Sequence, residues 1–179
     1  MLMEELFERL RTFQELLMER VAIEKDVREL PKSIAAQEEV LARARKSYGE
    51  RSQRLAEVQG RVGELRAELT DVVAHKDKSA QQMDSISSPR EFEALNKEIT
   101  EDGLKEDQLR KDLKREEENL REAEGEVAAS ESLISSQETE IGEKRARIQN
   151  EESSMRARIE ELKAKEAELT ADIDPEVVF

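Results

Sequence analysis

At 179 residues the chain is long enough for one ordinary globular domain, but 41% of it is charged and only 3% aromatic, with no Trp and no Cys. Ala, Glu, Lys, Leu and Arg supply 101 of the 179 residues, the balance of a coiled coil or long helix. The six Gly and three Pro are too few for the turns of a sandwich or barrel, and the lack of Cys excludes disulfides and thiolate zinc sites within these residues. A formal charge of −14 opposes nucleic acid and anionic membrane except at a local basic patch. No apolar run approaches the ~20 residues of a membrane span. The opening MLMEELFERLR has no apolar core of the secretory kind, so a cytoplasmic location is expected.

The first element is a long helix with one heptad phase. Stepping by seven from Leu6 gives Phe13, Arg20, Val27, Ile34, Leu41, Tyr48, Leu55, Val62, Leu69, Lys76 and Met83, so ten of twelve core a positions are apolar. The companion d positions, from Arg9 through Leu16, Ile23 and onward to Ile86, are apolar in eight of twelve cases. A disordered chain of this charge has no reason to keep such a phase. Pro31 falls inside it, where it removes a backbone donor and crowds the preceding turn. Because the phase runs from Val27 through Ile34 to Leu41, a kink is expected there rather than a boundary, with Gly142 opposite to let the partner helix bend.

Three serines and a proline between Asp84 and Glu91 end this helix. Ser88 is a good N-cap, Pro89 suits the first helical position, and Glu91 completes a capping box. A second register opens at Phe92 and runs through Ile99, Glu106, Leu113 and every seventh residue to Leu169, with eleven of twelve positions apolar. Its companion positions are mostly polar, which gives a narrow ridge and a loosely packed pair. So short a connection makes the helices antiparallel.

The expected fold is therefore all-α: a long antiparallel two-helix coiled-coil hairpin, kinked near Pro31. Residues 1–173 form the hairpin, with arm one at about 3–84, the tip at 84–90 and arm two at about 89–172. Asp174 and Pro175 start a further helix at 174–179, the beginning of a truncated C-terminal element. Antiparallel packing sets a positions against d positions, which here makes paired residue numbers sum to about 171. Residues 43–54, net +4, then face 117–128, net −4, so the basic stretch around Tyr48 is explained by interhelical pairing better than by nucleic acid.

The stretch Ser88-Pro89-Arg90-Glu91-Phe92-Glu93-Ala94-Leu95-Asn96-Lys97-Glu98-Ile99 resembles a signature of bacterial coiled-coil proteins that carry a C-terminal four-cysteine zinc ribbon, a family associated with nucleic-acid binding. The layout is similar too, with a Leu30-Pro31 step, a long arm, the tip motif, a returning arm and an Asp-Pro step. The ribbon and its ligands are absent from these residues, so zinc is expected only in that missing ribbon and no cofactor in this chain. The resemblance implies a hairpin adaptor in flagellar or type III secretion control, binding a sigma factor or an export-apparatus component. The alternative it implies is a nucleic-acid-associated regulator acting through the ribbon; a salt titration separates the two, since phosphate-driven binding weakens steeply with salt.

Two surfaces are candidates for partner binding. At the tip, Arg90, Glu91, Phe92, Asn96 and Lys97 could present a docking surface. The plainer reading has Phe92 folding over Met83 and Ile86, and Glu93 pairing with Lys97. At the base, Leu10, Leu17 and Val21 lie outside the a/d seam. With Leu2, Met3, Ile159 and Ile173 they widen the internal seam, dock the missing ribbon or form a homodimer interface. No metal or catalytic site is expected. His75 is the only histidine and should be solvated. Glu116, Glu117 and Glu118 splay apart on a helix, and no nucleophile–base pair or phosphate loop is present, so the chain is not expected to be an enzyme.

Overall fold

The computed structural model describes residues 2–173 and 176. The chain forms helix α1 (Met3–Glu29), a 3-10 stretch (Leu30–Ile34), helix α2 (Ala35–Gln82), a 3-10 turn (Met83–Ser85) and helix α3 (Pro89–Thr170), with no strand among the described residues. This is the expected all-α antiparallel hairpin: α1 and α2 make the first arm and α3 returns along it. The start expected at Asp174 and Pro175, with Val177, Val178 and Phe179, lies outside the described residues.

The interruption at Pro31 is a short change of ladder. Leu30 still donates to the Asp26 carbonyl, but Pro31 has no N–H to continue the α pattern, and the chain tightens until Ala35 donates to Lys32. Two carbonyls of the stretch accept side-chain donors. Ser33 Oγ donates to Leu30 O at 2.7 Å, and Lys144 Nζ reaches across to Ser33 O at 2.8 Å. Gly142, expected opposite the proline, is exposed with open space around it, and Lys144 serves the kink instead.

The chain divides into two compact units, Met1–Arg43 with Ile134–Phe179, and Ala44–Leu133. In the first, Ile34, Leu41 and Ile141 form a buried cluster flanked by Ile134 and Ile148, and Ile159 and Leu162 are buried further along α3. In the second, Val58, Val62 and Ala123 are the buried apolar residues. Burial follows the heptads closely. None of the twelve a positions of the first arm is exposed, and on α3 only Phe92 is.

Toward its C-terminal end α3 changes which companion it buries. Arg158 is half-buried and Glu151, Lys165 and Asp172 are exposed, whereas Ile159 and Glu166 are buried and Glu152 and Ile173 half-buried. The ridge there runs through a and the position four residues on. A polar companion three residues on therefore did not mean an empty seam, because the next position took its place.

The pairing register expected from the sequence is corrected. Cross-arm pairs in the Ala44–Leu133 unit include Tyr48–Glu131, Arg51–Ser130, Arg54–Glu126, Arg61–Glu116, Arg66–Glu117, His75–Asp102 and Lys76–Glu106. Their residue numbers add to about 180, so the arms are offset by roughly ten residues from the expected register and the matched +4 and −4 segments do not face each other as blocks. Arg54 still meets Glu126, at 3.1 Å. The reason lies in the connection. The 3-10 turn and the extended Ile86 carry the chain further along the arm than the same number of α-helical residues would before α3 begins. At this register Ile86 is level with Leu95 and Met83 with Ile99, and all four are half-buried.

Candidate functional site

The tip is built by the cap of α3. Ser88 Oγ accepts the Glu91 N–H at 3.2 Å, and the Phe92 N–H reaches the Ser88 carbonyl at 3.1 Å. The serine half of the capping box forms; the reciprocal bond from the Glu91 side chain is absent among the described residues. The first turns of α3 then hold Arg90, Glu91, Phe92, Asn96 and Lys97 exposed. Phe92 is 52% exposed, and Leu95 and Ile99, one and two turns on, are the half-buried seam residues. Lys97 lies 4.0 Å from Glu101 rather than pairing with Glu93. The five tip residues are thus brought onto one short stretch of helix, with an aromatic ring among polar and charged groups.

Behind the tip lies a charged layer that the sequence reading left as two separate exceptions. Lys76 Nζ donates to Glu106 Oε2 at 2.9 Å, and Arg110 donates to Glu106 Oε1 at 2.8 Å. The hydrogen bond from Lys76 first, and that from Arg110 second, hold the Glu106 carboxyl below the usual carboxylate range; the same bond to Glu106 raises Lys76 above its ordinary value. Ser79 and Asp102 are buried one turn away, and His75, exposed as expected, bonds the Asp102 carboxylate through Nδ1.

The N-terminal end is also held by charge. Arg20, the other charged a position, donates to Glu166 at 2.9 Å and to Glu24 at 2.9 Å, bonds that raise its pKa in that order. Arg158 meets Glu19 at 3.0 Å and Glu161 at 3.1 Å; those bonds raise Arg158, and Arg158 lowers Glu161. Of the three base candidates, Leu10 and Leu17 are half-buried and Val21 is 51% exposed. The exposed apolar residues there include Phe7 and Met18, which the sequence reading passed over. Plotting α1 at 100° per residue would have shown both on the face of Met3, Leu10, Leu17 and Val21.

The glutamate run behaves as a splayed helix face: Glu116 pairs with Arg61 at 3.4 Å and Glu117 with Arg66 at 3.1 Å. No group of three or more His, Cys, Asp or Glu that could hold a metal occurs among the described residues, and none of their helices is long and apolar enough to cross a membrane.

No protein-family model and no curated protein matches the chain. Among solved structures, it is similar to the crystal structure of a coiled-coil segment, residues 345–468 and 694–814, of Pyrococcus yayanosii Smc. The TM-score is 0.58 at 25% identity, over 96% of this chain and 73% of that one. A helical hairpin with this likeness is a structural or interaction scaffold.

Proposed function

We propose that the protein is an adaptor that captures a protein partner at the tip of its hairpin. The carrying observation is Phe92, a large apolar ring left 52% exposed beside Arg90, Asn96 and Lys97 at the start of α3. An exposed aromatic with a cationic neighbour is the composition of an interface anchor. The resemblance of residues 88–99 to the tip signature of zinc-ribbon coiled-coil proteins supports a cytoplasmic adaptor of flagellar or type III secretion control, with a sigma factor or an export-apparatus component as partner. The net charge of −14 disfavours nucleic acid as the ligand of this chain. The test is a pull-down of such a partner with the intact chain, with Phe92→Ala and with Arg90→Ala/Lys97→Ala. Capture is lost in both variants while helicity stays unchanged. Undiminished capture by both overturns the tip assignment.

A further inference from the structure

We propose that α1 carries a second docking surface, independent of the tip, that receives a basic amphipathic helix of another protein. Met3, Phe7, Leu10, Leu17, Met18 and Val21 fall within an arc of about 100° on α1. Phe7 is 70% and Met18 65% exposed, so the outer half of this arc has no cover among the described residues. The arc lies beside the seam, not in it: Leu6, Phe13 and Leu16 occupy the seam and are half-buried. It has the spacing of a second heptad stripe, stepping by seven from Met3 to Leu10 to Leu17 and from Phe7 through Gln14 to Val21. It stops there, because the next two positions are Glu24 and Arg28. Its length from Met3 to Val21 is ~27 Å, about five helical turns, which suits a helix laid into a groove.

Charge selects the occupant. The border of the stripe away from the seam carries Glu4, Glu8 and Glu15. Arg11 on that border is held by Glu15 at 3.5 Å, and Arg9 by Asp172 at 3.9 Å. Glu4 and Glu8 make no ion pair among the described residues and leave the border net acidic. A helix with Leu-like residues on one face and Lys or Arg along its edges satisfies both features. A second copy of this chain would bring another acidic border into the same interface, and an anionic lipid surface would be repelled by it.

The experiment is a fluorescence-anisotropy titration of the full chain against two labelled amphipathic peptides of about five turns, with the same leucine face and either Lys or Glu on the flanks. The Lys-flanked peptide binds at least about tenfold more tightly, and the preference shrinks with salt. Phe7→Asp with Val21→Asp weakens it by about tenfold or more with an unchanged melting curve, and Glu4→Lys with Glu8→Lys reverses the preference. Arg90→Ala/Lys97→Ala leaves it untouched, which separates this surface from the tip. Equal binding of both peptides, or indifference to the Phe7 and Val21 changes, overturns the proposal. So does self-association in sedimentation that Phe7→Asp abolishes, or capture of anionic vesicles through the same residues.

Discussion

Lys76 and Glu106 are charged residues at core a positions of opposite arms, and they meet across the seam at 2.9 Å. Glu106 is the one polar a position of α3, and Lys76 is one of two charged a positions in the first arm; the other, Arg20, is met by Glu166. A charge placed between two helices loses hydration and must recover it from a partner, so such a pair is tolerated in one alignment of the arms only. Lys76→Glu or Glu106→Lys alone therefore lowers the thermal midpoint, and the double exchange restores most of it. Circular-dichroism melts of the three variants check this. Equal losses that simply add in the double variant would show that the pair does not fix the alignment.

The same layer gives acid sensitivity. The folded Glu106 carboxyl titrates below its ordinary value, so the fold favours its charged form. That contribution is fully present above the ordinary carboxylate value and is lost as pH falls through the lowered one; Glu161, held down by Arg158, acts in the same sense. Glu106→Gln flattens the acid limb of the urea midpoint against pH and leaves its shape near neutrality unchanged.

Leu162 is the most deeply enclosed side chain, at 0% exposure, in a seam only two helices thick. Leu162→Ala removes three buried carbons and should cost about 2–5 kcal/mol. Chemical denaturation measures it. Phe92→Ala, by contrast, costs less than this, because about half of that residue is already in solvent.

Pro31→Ala restores the missing donor and lets α1 run into α2. Helicity at 222 nm rises, and stability gains up to about 3 kcal/mol, the cost of a proline within a helix. A loss of stability instead would mean that the bond from Lys144 to Ser33, made possible by the break, outweighs the repaired ladder.

The helices, their direction and the start of α3 at Pro89 were legible in the sequence, because heptad phase and capping chemistry act within one segment. The alignment of the arms was not, because it depends on how much chain the connection uses. Met83–Ser85 took a 3-10 turn and Ile86 an extended conformation, which moved the pairing by roughly ten residues. One sequence signal pointed to the right answer: Lys76 and Glu106, as charged core residues of opposite sign, belong together. Bulk segment charge was the weaker guide, since exposed Arg and Glu reach a turn in either direction and fit several alignments. The exposure of Phe92 follows from the same offset, as does its value as a candidate anchor. The move of the α3 ridge from Arg158 to Ile159 was hidden because a strict a/d template weighs only one companion per heptad.

Tyr48 is the only tyrosine, there is no tryptophan, and its hydroxyl donates to Glu131 of the opposite arm at 3.1 Å. The protein thus carries an unlabelled optical gauge of its own pairing. A phenol bonded to a carboxylate emits weakly, so any event that parts or slides the arms at the Ala44 and Leu133 end of that unit should brighten the intrinsic emission. Events confined to other parts of the chain should leave it dark.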